Sequence, residues 1–286
     1  MTTPAAAAYI LTLSCADRPG LVHAVTGVLV ERGANVTEAQ QFNDPGTGLF
    51  FMRMQFDAPG TTLEALRAAF APLEQRLALR LALAHAGERT RTLILVSQLG
   101  HCLNDLLFRW RTHLLPLDIR GIVSNHLDFE ALALSYSVPF HHVPVSAATK
   151  DDAEAALLRL IEAEGIELVV LARYMQILSP ALCQRLAGRA INIHHSFLPS
   201  FKGAKPYQQA FDRGVKIIGA SAHYVTADLD EGPIIEQDIA RVDHTHDPAE
   251  LTAMGRDVEC AVLARAVKWH AERRVLIDRN KTVVFR

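Results

Sequence analysis

From Leu93 to Ile193 the chain repeats one pattern: a short unbroken apolar run, a helical stretch, then another run. The runs are Leu93–Val96, Ile119–Val123, Leu168–Leu171 and Ala190–Ile193, and stretches such as His101–His113 and Asp151–Glu164 carry helical spacing between them. Strands that are apolar on both faces belong in a parallel sheet covered by helices on both sides. This part of the chain is therefore expected to be α/β. In such sheets ligands bind beyond the carboxyl ends of the strands, so the residues that follow each run are where chemistry is to be sought. Lys216–Val225 and Ile234–Arg241 read as a later strand pair, with an antiparallel arrangement as one option. Pro248–Arg273 reads as a long amphipathic helix, and Val275–Ile277 with Thr282–Phe285 as a closing hairpin.

The first 84 residues have a different rhythm. Tyr9–Ser14 reads as a strand, and Asp17-Arg18-Pro19-Gly20 as a turn into a helix with Leu21, Val25, Val28 and Leu29 on one face. Val36–Phe42 is a second strand. Phe50, Met52, Met54 and Phe56 then alternate with Phe51, Arg53 and Gln55, which marks a third strand with two distinct faces. Thr62–Arg76 is helical, and Leu77–Ala84 closes a βαββαβ unit. Residues 85–91 are polar and aperiodic. The expected division is thus 1–84, a linker at 85–91, and a larger domain at 92–286.

Composition narrows the function. Half of the 286 residues are hydrophobic and the formal net charge is −2, with none of the basic excess of a nucleic-acid binder. No apolar run approaches the roughly 20 residues of a membrane helix. No basic residue precedes Arg18, so the apolar start is expected to be strand rather than leader. Cys15, Cys102, Cys183 and Cys260 are widely spaced, without a CxxC pair. They are expected to be reduced, which points to the cytoplasm and to no metal site. Of the histidine pairs, only His244-x-His246 could chelate, and it has no obvious partners.

The most polar strand end is Asn192-Ile193-His194. Residues two apart on a strand share a face. An amide that donates and an imidazole that moves protons near neutral pH suit a carbonyl under attack by water. Asp230, in the Asp228-Leu229-Asp230-Glu231-Gly232-Pro233 turn, is the carboxylate best placed to complete such a set. The same Asn-x-His spacing also occurs in purely structural pairs, and an Asp in such a turn can be turn chemistry alone. His101 and Asp105, one helical turn apart, are either a second functional pair or surface electrostatics.

These residues carry a resemblance. Ile191-Asn192-Ile193-His194-His195-Ser196-Phe197-Leu198-Pro199-Ser200-Phe201-Lys202-Gly203 resembles the signature of folate-dependent formyl-transfer enzymes. Leu229-Asp230-Glu231-Gly232-Pro233-Ile234-Ile235 resembles their second motif. Leu171-Ala172-Arg173-Tyr174-Met175-Gln176-Ile177-Leu178 is similar to their pterin-binding loop, with Gln176 where the family usually has arginine. The resemblance implies a catalytic Asn192, His194 and Asp230. It implies a folate contacted by Ala172, Tyr174, Met175, Gln176, Ile177 and Leu178, with His101 and Asp105 nearby. It also implies a Rossmann-like, mainly parallel formyltransferase fold for the larger domain. The N-terminal stretch Leu11-Thr12-Leu13-Ser14-Cys15-Ala16-Asp17-Arg18-Pro19-Gly20-Leu21-Val22 resembles an α+β ACT domain, a small sensor that often binds amino acids.

An ACT domain joined to this catalytic domain is characteristic of the deformylases within the family. That implies hydrolysis of 10-formyltetrahydrofolate to formate and tetrahydrofolate, supplying formate for purine biosynthesis and balancing one-carbon pools. The folate is then the substrate, and no cofactor is required. A glycine or methionine effector is expected near Asp17, Gly20 and Asn35, in a homo-oligomer. Two alternatives remain at this point. One is a glycinamide ribonucleotide formyltransferase, for which Ser97-Gln98-Leu99-Gly100-His101 is a poor phosphate cradle. The other is a catalytically silent ACT-type sensor.

Overall fold

The computed structural model describes residues 7–198 and 206–286. The chain divides into two compact units, one formed by Met1–Glu88 with Glu272–Asp278 and Val283–Arg286, the other by Arg89–Ala271 with Arg279–Thr282.

The first unit is the expected βαββαβ arrangement: β1 (Ala8–Ala16), α1 (Leu21–Glu31), β2 (Asn35–Asp44), β3 (Leu49–Asp57), α2 (Leu63–Leu77) and β4 (Arg80–His85). Its sheet has the order β2-β3-β1-β4, antiparallel throughout. Strand alternation decides the core. Tyr9, Leu11 and Leu13 of β1 and Phe50, Met52, Met54 and Phe56 of β3 pack on Leu21, Val25 and Leu29 of α1 and on Leu66, Phe70 and Leu73 of α2. The Thr62 hydroxyl caps α2 by accepting from the Ala65 N–H at 3.1 Å. This helix runs past the expected boundary to Leu77, and Ala78 ends it in the left-handed conformation.

The other face of β3 explains a departure from the expected 92–286 domain. Arg53 there is almost completely buried. Its guanidinium donates to Glu38 at 3.0 Å and to the Glu272 carbonyl at 3.3 Å. Arg274 reaches the same Glu38 at 2.9 Å. The C-terminal segment therefore groups with the first unit, because a buried cation needs these partners. The expected linker is also shorter, since β4 runs to His85 and the next strand starts at Thr90.

The second unit contains β5 (Thr90–Val96), α3 (His101–Arg111), β6 (Leu117–Ser124), α4 (Glu130–Ser135), β7 (Phe140–His142), α5 (Lys150–Ala163), β8 (Leu168–Leu171), α6 (Pro180–Arg185), β9 (Ala190–His194), α7 (Pro206–Asp212), β10 (Ile217–Tyr224), β11 (Ile234–Arg241) and α8 (Pro248–Ala271). Strands β12 (Val275–Asp278) and β13 (Lys281–Val284) pair as a two-stranded sheet. The larger sheet has seven strands in the order β11-β10-β9-β8-β5-β6-β7. It is parallel from β7 to β9, and β10 runs antiparallel to both β9 and β11. The chain moves outward from β5 through β6 and β7, then returns to build β8 and β9 on the other side. That reversal opens a crevice at the strand ends. Leu157 and Ile161 of α5 pack on Leu93, Leu95, Val169 and Leu171.

Glu38 ties these charges together. The hydrogen bond from Arg274, with burial opposing it and Arg53 adding to it, holds its carboxyl below the usual range. A depressed carboxyl contributes stability above its unfolded pKa and loses it as pH falls. Glu38→Gln should therefore cost about 2 to 3 kcal/mol in urea unfolding at neutral pH. This is less than the ~3–5 kcal/mol of a fully buried pair, because Glu38 keeps some solvent. The deficit should shrink in acid.

Candidate active site

Strand β9 alternates as its sequence requires. Ala190, Ile191 and Ile193 are buried, while Asn192 and His194 line a cleft of about 450 Å³. The loop after β8 forms one wall and the turn between β10 and β11 the other. That turn carries Asp230 in the left-handed conformation, at φ 58°. Gly232 is what lets it close: a Cβ there would lie 1.7 Å from the Tyr224 carbonyl oxygen. The turn is clamped by the Tyr224 N–H donating to the Pro233 carbonyl at 2.9 Å.

The three expected groups converge. Asp230 Oδ2 lies 3.2 Å from His194 Nδ1, and Oδ1 lies 3.6 Å from His223 Nε2. His223 Nδ1 is 2.9 Å from the Tyr224 carbonyl, which can only accept, so that nitrogen carries the proton. In the neutral ring Nε2 is then an acceptor, and the Asn192 amide donates to it at 3.3 Å. One amide hydrogen is thereby fixed and the other left for a ligand. His194 turns Nδ1 to the carboxylate. Its Nε2 is buried and, among the described residues, has no hydrogen-bond partner. The hydrogen bond from His194, with the neighbouring His223 ring adding to it, holds the Asp230 carboxyl far below the usual carboxylate range against the opposing effect of burial. Asp230 is an anion at any physiological pH.

The loop after β8 is tied to the loop after β5. Ser97 Oγ accepts the Met175 N–H at 3.0 Å and donates to Asn125 at 2.7 Å. Tyr174, Met175, Gln176, Ile177 and Leu178 all line the cleft, and Met175 and Ile177 are exposed apolar surface. Burial pushes the Tyr174 phenol up to about 12, so it stays neutral.

Ala172 is a correction. It is fully buried, its N–H donates to the Leu95 carbonyl at 2.8 Å, and it does not line the cleft. His101 and Asp105 are another, because neither contacts the other. Arg109, one turn further on, takes Asp105 at 2.7 Å, and buried Glu259 takes His101 at 2.8 Å. His101 lines a separate cavity of about 100 Å³ with Arg173, His195, Tyr207 and Glu259.

The expected effector residues do not meet within one chain. Strand register places Asn35 beside Asp57, which pairs on its other side with Ala8, while Asp17 follows the end of β1 that pairs with Leu49. At about 3.3 Å per residue, roughly 25 Å of strand separates them. Residues 199–203 of the signature lie outside the described residues.

Sequence reasoning missed His223, Arg173, His195, Tyr207 and Glu259. Glu259 had a signal: an acidic residue between Gly255 and Val262 on the buried face of a helix. His223 had none, since only strand register sets it opposite Asn192. His101, Cys102 and Glu259 bring ligand-type atoms within 4.8 Å of one another. An ion-pair network already uses that carboxylate, with Arg173 Nε 3.5 Å away and the Tyr207 hydroxyl donating at 2.7 Å.

Residues 90–267 match the formyl transferase family, and residues 9–71 match the ACT domain. The chain is 51% identical to a formyltetrahydrofolate deformylase of Corynebacterium sp. (strain P-1) over 97% of its own length and 98% of that protein's. The chain belongs to the formyltetrahydrofolate deformylase family. The solved structure of the Burkholderia mallei member is 54% identical and superposes with a TM-score of 0.95, covering 98% of this chain and all of that one. Glycinamide ribonucleotide transformylase 1 from Symbiobacterium toebii shares 28% identity and a TM-score of 0.65, over 72% of this chain and 98% of its own. The deformylase members therefore match both units, while the transformylase matches a smaller part.

The turn geometry is directly testable. Gly232→Ala must push the Tyr224 carbonyl and the Asp230 turn apart. The variant should keep its circular dichroism and lose about 100-fold in kcat, the usual scale for displacing a catalytic group by ~1 Å.

Proposed function

We propose that this protein hydrolyses the N10-formyl group of 10-formyltetrahydrofolate, releasing formate and tetrahydrofolate. The observation that carries this reading is the unpaired His194 Nε2 at the floor of the cleft, beside an amide donor and backed by a carboxylate. A buried polar atom without a partner costs about 1–3 kcal/mol. A water or formyl group in the cleft recovers that cost.

The chemistry follows from proton positions. With Nδ1–H donated to Asp230, neutral His194 has its lone pair on Nε2. Water attacks the formyl carbon, and its proton passes to that lone pair. The free Asn192 amide hydrogen, joined by the new imidazolium N–H, stabilises the oxyanion. The imidazolium then delivers its proton to N10, the C–N10 bond breaks, and the oxyanion collapses to formic acid, which ionises to formate. Asp230 stabilises the imidazolium throughout. Its two oxygens face histidines and it is a very weak base, which favours His194 as the carrier and Asp230 as the orienting charge.

Two features favour hydrolysis over transfer. The Phe129 ring packs so closely on Gly100 that a Cβ there would meet it at 2.2 Å, so the loop before α3 is filled by the protein itself. The second cavity, of about 100 Å³, has room for water or formate and not for a nucleotide acceptor. The intact catalytic set argues against a silent sensor.

Further parts of the reading rest on the same site and fold. The polarising groups are the chain's own, so no cofactor beyond the folate substrate is called for. The formate released would supply purine biosynthesis in the cytoplasm; no helix among the described residues is long and apolar enough to cross a membrane. A glycine or methionine effector would engage the Asp17–Gly20 turn. One site could include Asn35 as well only if a second copy supplied it, and the outer strands β2 and β4 of the small sheet offer edges for a homo-oligomer.

Asn192→Ala and Asp230→Asn should each lose on the order of 100- to 1000-fold in kcat while remaining folded. Formate should appear from 10-formyltetrahydrofolate alone, and glycinamide ribonucleotide should not increase folate turnover. A requirement for that acceptor would make the protein a transferase. Activity should fall toward acid pH through imidazole protonation while Asp230 stays ionised. An acid limb abolished by Asp230→Asn in an otherwise active enzyme would contradict that order.

A further inference from the structure

The proposed chemistry leaves one buried cluster unused. Glu259 projects from α8 into the second unit with its side chain 1% exposed. Three elements converge on it: His101 of α3 at 2.8 Å, the Tyr207 hydroxyl of α7 at 2.7 Å, and Arg173 of the loop after β8, whose Nε lies 3.5 Å away. Arg173 sits in the left-handed region, at φ 64°, a conformation unfavourable for a long side chain unless its surroundings hold it. Its other end donates from Nη1 to His195 Nδ1 at 2.7 Å. The His195 ring stacks on that of His194, centroids 4.9 Å apart and planes 20° from parallel. An ion pair, a hydrogen bond and a ring stack thus link Glu259 through Arg173 and His195 to the imidazole that moves the proton.

We propose that Glu259 is a positioning residue for the reaction: through Arg173 it holds His195 as a neutral acceptor stacked on His194, and its charge offsets the Arg173 cation behind the catalytic ring. The inference rests on the hydrolase reading above. A guanidinium donating to Nδ1 leaves His195 no lone pair there for a proton. Burial first, then the Arg173 and His194 charges, lowers the His195 pKa to about 4. His195 therefore adds no positive charge beside His194 at working pH. The charged and titratable groups around the catalytic ring are Asp230 and His223 from the β10–β11 side, His195 from its own segment, and Arg173 and Glu259 behind it. Around Glu259 are His101 and Cys102 of α3, Tyr207 of α7, and Cys260 and exposed Arg256 of α8. Hydrogen bonds and charge from His101, Arg173 and Tyr207 outweigh the large opposing effect of burial, so the Glu259 carboxyl lies below its usual value. It supplies a fixed negative charge.

The sign of the effect follows. Glu259→Gln keeps the shape and removes one negative charge. The Arg173 cation is then unopposed and disfavours a positive His194 ring. His194 becomes a weaker base, so the acid limb of kcat moves to lower pH and the plateau falls. Arg173→Lys keeps the positive charge, but its single nitrogen cannot bridge Glu259 and His195, so it tests position apart from charge.

The experiment is steady-state formate release from 10-formyltetrahydrofolate as a function of pH, for the full-length wild type, Glu259→Gln, Glu259→Asp and Arg173→Lys. Both the Gln and Lys variants should lose about 10- to 100-fold in kcat with the KM for the folate within about twofold of wild type. The Gln variant should shift the acid limb downward, and Asp should restore part of the rate. A variant that does not fold is set aside, and the other decides. The inference is overturned if a folded variant retains kcat within about twofold with an unmoved acid limb, or if losses appear only in KM or thermal stability. A wild type that releases no formate would instead sink the hydrolase reading.

Discussion

Four register pairs between β9 and β10, from Ser221 beside His194 to Tyr224 beside Ile191, assemble the cleft. Parallel strands alone would present Asn192 and His194 with nothing opposite them. The antiparallel β10 sets His223 next to Asn192, and the turn that follows it returns Asp230 to His194. Each contact then constrains the next. The Tyr224 carbonyl fixes the His223 tautomer, His223 fixes one Asn192 hydrogen, and Asp230 fixes the face that His194 turns to the cleft. A one-residue slip of β10 would turn His223 to the opposite face of the sheet, away from Asn192.

Two of the buried charges, Arg53 and Glu259, are handled alike. In the first unit, Arg53 is enclosed with Glu38 and the Glu272 carbonyl, drawing the C-terminal segment onto the small sheet. In the second, Glu259 is enclosed with His101, Tyr207 and Arg173. A buried ion left alone would cost several kcal/mol, so each set of partners is obligatory once the ion is inside. The first cluster holds a chain end. The second touches the catalytic segment through His195, and there the same physics acts on proton transfer.

Periodicity made much of this legible. The four apolar runs are strands of the parallel sheet, and the alternation at Phe50–Phe56 is the two-faced β3, because each pattern records which sides of an element are buried. Strand β7 was not legible: three residues, Phe140-His141-His142, carry too little pattern, and pairing with β6 is what makes them a strand. The return of Glu272 to Arg53, 219 positions apart, leaves no local signature either. At the site, the spacing of Asn192 and His194 and the turn at Asp230 pointed to three groups that converge on one cleft. Helical spacing misled at Asp105, which has neighbours at both ends: His101 four residues before it and Arg109 four after. Choosing between them required Glu259, a residue from another helix. Asn35 and the Asp17–Gly20 turn looked close in sequence, and a strand's length keeps them apart.

Catalysis in this site depends on the orientation of one ring. Nitrogen-15 spectra of the histidines, with His194 assigned by substitution, would read it directly at pH 8 in the unliganded enzyme. The prediction is a neutral His194 with its proton on Nδ1, a bare Nε2, and loss of that tautomer's dominance in Asp230→Asn. A His194 protonated on Nε2 alone, or a tautomer indifferent to Asp230, would contradict it.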